Sequence, residues 1–551
     1  MKIKFMRNIL VNSALPYANG DLHIGHMLGY VQSDIWVRFQ RLQNNHCYFI
    51  CGTDSHGTAI SLKSEKEGIS PEALVKKMEK SHLEDLSNFS IFFDNYYSTN
   101  EKLNKDLVHS SYIKLLQEDL IYTKEISQYY DQKKSIFLPD RFLIGTCPCC
   151  EAPNQYGDNC EVCGGFYSSY KLINPRSILS NSTPILKNST HFFFKLSAMS
   201  ETLQDWINEN EYLQNQVKNK LQEWFQSGLK DWNISRDHPY FGFMIPNNMG
   251  IKKYFYVWFD APFGYLASFK DFCNKTQKED FDNYFNSNSD NEIYYFIGKD
   301  ILYFHALFWP AILASLNYKL PTGIFVHGFL TINGQKMSKS RGVFISVKSY
   351  LKYLNADYLR YYFFSKSTSE IKDIDLNLKD FCQKINSEVI GKIINIASRC
   401  GAFINRHYNN MLSDTIFDQK LLESFFSVHQ KITSCFEKRN FSEALGIILK
   451  LADKANQFIN DHKPWFLIKS RKNLNSVHEI CSLGINFFKI IISYLKPVIP
   501  SFVLQSENFL NFKIESWSEI PKPLLSHKIN DFNCIAKRID TSILEKIIKN
   551  I

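Results

Sequence analysis

Two hydrophobic rhythms divide the chain. In its first part, short apolar runs end in polar turns and alternate with helical spacing. Residues 9–13 read as a buried strand, and the turn-rich Pro16-Tyr17-Ala18-Asn19-Gly20 follows. A long helix is expected to start near Asp21–His23, because Leu28, Val31, Ile35, Phe39 and Leu42 recur at helical spacing. A second strand, residues 48–51, runs into Thr53-Asp54-Ser55-His56-Gly57, and residues 324–327 are again strand-like. Polar residues at the carboxyl ends of strands mark the ligand-binding edge of an open α/β sheet. No G-x-G-x-x-G follows the first strand, which argues against a dinucleotide. Later the rhythm changes. Residues 381–408, 419–457 and 476–495 are long helix-periodic stretches with few strand signals, as an all-α bundle requires. The most apolar of them, residues 485–495, is interrupted by Asn486 and Lys489 and stopped by Pro497, so it reads as a core helix and not as a membrane span.

Composition sharpens this picture in three ways. At 551 residues the chain is too long for one core and implies several domains. The net charge of +9 comes without any run of five or six basic residues, so a polyanion must be met by folded surface. The 45 Phe, with abundant Lys, Asn and Ile, suggest an A+T-rich coding bias, so aromatic-plus-basic stretches alone do not identify nucleic-acid sites. The basic start, residues 1–7, is followed by an apolar stretch that breaks at Asn12-Ser13, too short for a signal core. A cytoplasmic enzyme is the expectation.

Chemistry concentrates in three segments. His23-Ile24-Gly25-His26 puts two imidazoles three residues apart, on one face of a helix start, where exposed N–H groups and the dipole favour phosphate. Lys336-Met337-Ser338-Lys339-Ser340 puts two ammonium groups at the same spacing, with Gly334 and Gly342 close by. Two imidazoles and two lysines suit a site that spreads charge around an attacked phosphate. The third segment is Cys147-Pro148-Cys149-Cys150 with Cys160-Glu161-Val162-Cys163, two pairs able to offer four thiolates tetrahedrally to Zn²⁺. Cys149 leaves the first pair open by spacing alone. The usual two-residue separation favours Cys147 and Cys150, with Cys149 a free thiol. With all four positions filled by protein, the zinc is structural. The other eight cysteines are scattered and read as core packing.

The histidine and lysine motifs, in this order, resemble the paired ATP-site motifs of class I aminoacyl-tRNA synthetases. Further segments narrow the resemblance to the bacterial-type methionyl-tRNA synthetases: residues 14–20, Trp232-Asn233-Ile234-Ser235-Arg236-Asp237, residues 256–262, Phe296-Ile297-Gly298-Lys299-Asp300-Ile301, Tyr303-Phe304-His305 and Lys463-Pro464-Trp465. It runs over essentially the whole chain. It implies an α/β fold: a class I Rossmann-type catalytic domain in two halves, 1–117 and 232–325, split by a connective insertion at 118–231 that carries the zinc knuckle. A domain with the lysine loop follows at 326–388, and an α-helical anticodon-binding domain at 389–551.

The resemblance further implies that the methionine carboxylate attacks the α-phosphorus of ATP, and that the adenylate then passes to the terminal adenosine of tRNA(Met). The carboxylate is already a nucleophile, so catalysis is positioning and charge stabilisation. His23, Gly25, His26, Lys336 and Lys339 are assigned to the triphosphate, and Gly298 and Asp300 to the nucleoside. Mg²⁺ arrives with ATP, held largely by phosphate oxygens and water. The methionine pocket maps onto Ala14, Leu15, Tyr17, Trp258, Ala261, Pro262, Tyr265, Ile301 and His305. Asp54 is placed near the ammonium group and Arg236 near the reacting carboxylate or phosphate. Asn395, Arg399 and Trp465 are the implied readers of the anticodon. Three departures stand out: Gly29 where an acidic residue is expected in close relatives, Cys149 inside the knuckle, and no appended β-barrel dimerisation domain, from which a monomer is expected. A synthetase for leucine, isoleucine or valine lacks room here for its editing insertion, and one for cysteine would need an active-site metal. A scaffold that binds RNA without catalysis fits poorly with both motifs intact. A tRNA-independent adenylyltransferase would leave the knuckle and the bundle unexplained.

Overall fold

The structure is a computed structural model describing residues 6–157, 160, 162–163, 165, 167–247, 249–337, 344–470 and 473–549. The chain opens with β1 (Asn8–Ser13), α1 (Ile24–Leu42), β2 (His46–Cys51) and β3 (Asn95–Tyr96). An insertion follows with β4 (Ile121–Asp131), β5 (Ile136–Phe137), β6 (Leu143–Thr146), β7 (Gln155–Tyr156), β8 (Ile173–Ser177), β9 (Ile185–Phe194) and β10 (Trp232–Asn233). The hairpin β11 (Ser235–Asp237) and β12 (Lys253–Phe255) leads back through α2 (Phe263–Thr276) to β13 (Glu292–Gly298) and β14 (Gly323–His327). Next come β15 (Leu330–Ile332), β16 (Gln335–Lys336), α3 (Ala356–Lys366) and β17 (Ile374–Leu376).

The central sheet is parallel, in the order β14-β13-β1-β2-β3. Parallel strands are buried on both faces, and Ile9, Leu10 and Val11 of β1 are accordingly fully buried. Registers Ser13↔Phe296, Asn12↔Ile50 and Gly298↔His327 bring the carboxyl ends of β1, β2, β13 and β14 to one edge. That edge is the floor of the site.

The insertion forms two small sheets. One runs β10-β9-β4-β5 and the other, β7-β6-β8, carries the cysteines. Trp232 pairs with Phe194, so the insertion's sheet extends into residues 232–233, just past the division expected at 231.

The C-terminal part is helical: α4 (Asn395–His407), α5 (His429–Glu437), α6 (Phe441–His462) and α7 (Leu474–Tyr494) form its core. The continuous stretch expected over 419–457 is three helices. Arg439 takes a left-handed φ of 58° and, with Asn440, turns the chain between α5 and α6. Helix α7 is long and apolar enough to span a membrane by composition, yet 83% of its most apolar window is buried in the bundle. Its two polar interruptions are satisfied there. Asn486 donates to the Ser482 and Leu524 carbonyls, and the Lys489 ammonium donates to the carbonyls of Glu519, Ile520 and Lys522. Of the eight cysteines outside the knuckle, Cys534 is exposed and the remainder are buried.

The bundle is fixed to the catalytic sheet through α1. Phe39 stacks on Phe436 at 5.2 Å, and the Trp36 indole N–H donates to the Glu437 carbonyl. The fully buried Arg360 of α3 ties Asp34 of α1 to the carbonyls of Pro497 and Val498. Such a buried pair with its remaining donors filled fixes orientation more than it adds stability.

Candidate active site

A cavity of about 570 Å³ opens at the carboxyl edge of the sheet. The start of α1 forms one wall. His23 is its N-cap, and its Nδ1 accepts from the Gly25 N–H at 3.1 Å. His26 Nδ1 in turn accepts from the His23 N–H at 3.1 Å, closing a reciprocal capping box. The rings stack with centroids 3.6 Å apart. With each Nδ1 accepting from the backbone, a neutral ring at either position carries its proton on Nε2, at a helix N-terminus suited to an anion. No acidic residue occupies the first turn of α1, so nothing there repels an anion.

The chain around the lysine motif folds against this same point. Met337 packs over Gly25 so closely that a Cβ there would lie 2.2 Å from its Cε. On the far side of the motif, Phe344 meets the His23 ring at 5.3 Å, and the Ile24 N–H donates to the Ile345 carbonyl. The backbone of Lys336 lies in β16, whereas Lys339 lies outside the described residues, as do Ser338 and Ser340.

Asp54 stands on the opposite wall. Its backbone bridges to Tyr17, and its Oδ1 is buried without a partner among the described residues. Burial pushes this carboxyl well above the ordinary carboxylate value, the charge of Asp260 pushes it further, and the His56 N–H works the other way. A cation in the cavity would relieve that cost. Behind Asp54, His56 Nδ1 pairs with Asp260 Oδ2, with both side chains almost wholly buried. The sequence offered no signal for this pair, whose members lie 204 residues apart.

Ala14, Leu15, Tyr17, Trp258 and Ile301 line the cavity, whereas Ala261, Pro262, Tyr265 and His305 are buried and do not line it. Trp258 stacks on Phe304 at 3.8 Å. The Tyr265 hydroxyl donates to His305 Nε2 at 2.9 Å, because His305 Nδ1–H is committed to the Ile301 carbonyl at 3.0 Å. Burial pushes the His305 imidazole down to about 4, so it is neutral near pH 7. The Leu15 N–H faces the Tyr265 oxygen. This wall is aromatic, neutral and tautomerically fixed, suited to a flexible apolar side chain.

Gly298 and Asp300 line a third side of the cavity, joined by Gly29, His327, Gly328 and Phe329. The sequence reading missed His327, although it ends β14 at the edge where ligand contacts are expected.

Arg236 is not brought into this cavity. Its guanidinium lies 3.5 Å over the Tyr256 ring and donates to the Ser235 carbonyl. It lines a second cavity of about 500 Å³ between insertion and catalytic domain, with Asp140, Tyr240 and Tyr256.

In the insertion, the sulfurs of Cys147, Cys150, Cys160 and Cys163 lie within 4.8 Å of one another, with Cys147–Cys163 at 3.9 Å and Cys150–Cys160 at 3.6 Å. Four sulfurs about 2.3 Å from a tetrahedral Zn²⁺ would be separated by roughly 3.8 Å, so the donor set fits that ion. Backbone N–H groups of Cys149 and Cys163 donate to the sulfurs of Cys147 and Cys160, which favours thiolates. Cys149 itself is exposed.

In the bundle, Asn395, Arg399 and Trp465 share one face. Arg399 lies 4.6 Å over the Trp465 ring and donates to Asn460, and Asn395 donates to Asn456. Phe466 beside them is 60% exposed.

The signature of the family described as tRNA synthetases class I (M) matches residues 9–401. A methionine–tRNA ligase of Francisella tularensis subsp. holarctica (strain OSU18) is 56% identical over 545 residues, 99% of this chain and 81% of that protein. One from Vesicomyosocius okutanii (strain HA) is 51% identical over 98% of this chain and 99% of its own length. Among solved structures, Mycobacterium tuberculosis methionyl-tRNA synthetase bound by methionyl-adenylate superposes with a TM-score of 0.79 at 22% identity, covering 96% of this chain and 100% of that one. The free-state structure from the same organism gives 0.72 at 19% identity, over 98% and 100%. These two likenesses concern the fold.

Proposed function

The chain belongs to the class I (M) tRNA synthetase family, and we propose that it activates L-methionine with ATP and transfers the methionyl group to the 3′-terminal adenosine of tRNA(Met). One observation carries the reading. A single cavity joins a helix N-terminus bearing two imidazoles to a buried carboxyl group, one oxygen of which has no partner among the described residues and is suited to an ammonium group.

His23, His26 and the α1 N–H groups take the triphosphate, with Lys336 and Lys339 closing over it; the packing of Met337 and Phe344 on the α1 start supports this placing. Asp54 takes the methionine ammonium. Trp258, Leu15, Tyr17, Ala14 and Ile301 receive the side chain, backed by Ala261, Pro262, Tyr265 and His305. With its carboxylate held beside the α-phosphorus, methionine needs no further activation, and the donors around the phosphates stabilise the charge that develops. Mg²⁺ enters with ATP. Arg236, expected beside the reacting carboxylate or phosphate, lines the second cavity and would have to move to reach them. Cys147, Cys150, Cys160 and Cys163 would hold a structural Zn²⁺ that organises the insertion. Asn395, Arg399 and Trp465 read the anticodon by stacking and hydrogen bonding. We assign the domains as 1–117 with 232–325 for catalysis, 118–231 for the insertion, 326–388 for the lysine-loop domain and 389–551 for the anticodon, in a monomer.

ATP–pyrophosphate exchange with each of the twenty amino acids, without tRNA, tests the reading. Exchange with methionine alone is expected. Exchange with another amino acid keeps the phosphate site and removes the assigned pocket; none at all from folded protein overturns the reading.

A further inference from the structure

Two ionisable groups are buried behind Asp54 and line neither the main cavity nor the one beside Arg236. His56 follows β2 and Asp260 precedes α2, and their side chains meet through His56 Nδ1 and Asp260 Oδ2. His56 is 2% exposed and Asp260 is fully buried. The rings of Phe241 and Phe243 meet the imidazole edge-on at 5.4 and 4.5 Å. Asn104 donates to the Asp260 backbone carbonyl at 3.4 Å, but Asp260 Oδ1 has no partner among the described residues. The Asp260 charge reaches Asp54, and Tyr17 feels both carboxylates. The other titratable groups facing the two are the phenols of Tyr240, Tyr256 and Tyr265, which burial keeps neutral. Arg236 acts on Tyr240 and Tyr256 and on neither carboxylate. Among the described residues, His56 is therefore the one group placed to offset Asp260.

A second carboxylate so close to Asp54 works against an amine site. Two buried carboxylates within reach of each other do not both ionise readily, and one ammonium group brings a single positive charge. We propose that His56 is a positioning residue: with Asp260 it forms a pair of no net charge, which leaves Asp54 as the single negative charge facing the methionine ammonium. The inference rests on the assignment of Asp54 to that ammonium. The pair holds one proton between Nδ1 and Oδ2 and a second on Nε2. Written as imidazolium with carboxylate, or as imidazole with carboxylic acid, it sums to zero, and Asp54 meets only a dipole. Without the imidazole, an ionised Asp260 would hold the Asp54 proton in place and the ammonium would meet a neutral acid.

The test is the pH profile of kcat/KM for methionine in pyrophosphate exchange at saturating ATP, which reports groups of the free enzyme. Wild type should fall on the acid side as Asp54 takes up its proton. His56→Asn keeps an N–H donor that favours ionised Asp260 and removes the compensating charge. Its acid limb should therefore move up by about one to three pH units. KM for ATP should not change. In Asp260→Asn the buried imidazole has no carboxylate and stays neutral, so the limb should stay in place. The double variant, equally uncharged, should return the limb to its wild-type position. An unmoved limb in His56→Asn, with kcat/KM lowered equally at every pH, would reduce His56 to packing and overturn the proposal. A limb still raised in the double variant, or one that falls in Asp260→Asn, would overturn it too. Asp260→Asn alone decides the matter if His56→Asn does not fold. No exchange by the wild type with any amino acid, or methionine kinetics untouched by Asp54→Asn, would instead remove the reading on which the inference rests.

Discussion

Asp54→Asn should weaken the enzyme and stabilise the fold at once. The substitution keeps the shape of the side chain and removes its charge. Without a cation beside it that charge is a liability, since Oδ1 is buried with no partner among the described residues and burial with the nearby Asp260 raises the carboxyl well above its usual value. The sign follows from linkage. An acid whose pKa is higher folded than unfolded destabilises the fold wherever it must ionise, so stability is lost as pH rises through the unfolded value toward the folded one. Each unit of elevation costs about 1.4 kcal/mol above both. Asn removes the cost, and the free protein should melt later near pH 7, by roughly 1–3 °C for a transition of this size. The ammonium of methionine turns the same charge into an asset. A hydrogen bond to a charged group contributes about 1.5–3 kcal/mol, so kcat/KM for methionine should fall roughly 10- to 150-fold while KM for ATP stays near wild type. Thermal melts with and without methionine, beside pyrophosphate exchange at saturating ATP, read both effects. Added methionine should raise the melting temperature of wild type and much less that of the variant. A variant that melts earlier than wild type, or that keeps its KM for methionine, would refute the assignment of Asp54 to the ammonium.

Three further outcomes are expected. Cys147→Ser or Cys160→Ser should lose bound zinc by elemental analysis, whereas Cys149→Ser should retain about one ion per chain; zinc loss in Cys149→Ser would redraw the ligand set. Trp465→Ala should raise KM for tRNA about five- to 150-fold, the range for one stacked base, and leave tRNA-free pyrophosphate exchange unchanged; equal loss in both assays would place Trp465 in the fold and not in recognition. Gly25→Val should displace Met337 from the α1 start and raise KM for ATP more than KM for methionine, while a melting temperature that drops with both KM values unchanged would mean that the contact only packs.

Much of the site was legible because it is local. A strand, a turn and a capped helix place His23 and His26 within a few residues, and their mutual capping needs only the backbone between them. The four cysteines likewise come in two short turns, and the set favoured by the usual two-residue separation is the one whose sulfurs lie within 4.8 Å of one another. The helical periodicity of the C-terminal part was correct in kind and wrong in continuity. Arg439 has no Gly or Pro beside it to announce a break, and its left-handed φ belongs to a turn in which the Arg439 and Asn440 N–H groups donate to the Phe436 and Cys435 carbonyls.

What the chain could not state by itself is which distant groups meet. The His56–Asp260 pair, the approach of His327 to Gly29, and the separation of Arg236 from the main cavity all join or part residues on elements far apart in the chain. Hydrophobic periodicity fixes which face of an element is buried, because burial depends on the spacing of apolar side chains along that element. It carries no information on the register between elements brought together across hundreds of residues. Register decides whether a histidine faces a carboxylate, a glycine or a ring, and so whether its proton sits on Nδ1 or Nε2. The sequence alone therefore determined the element types, the helix start and the two cysteine turns. Tertiary packing decided the charge states, the tautomers and the side of the cavity that each group serves.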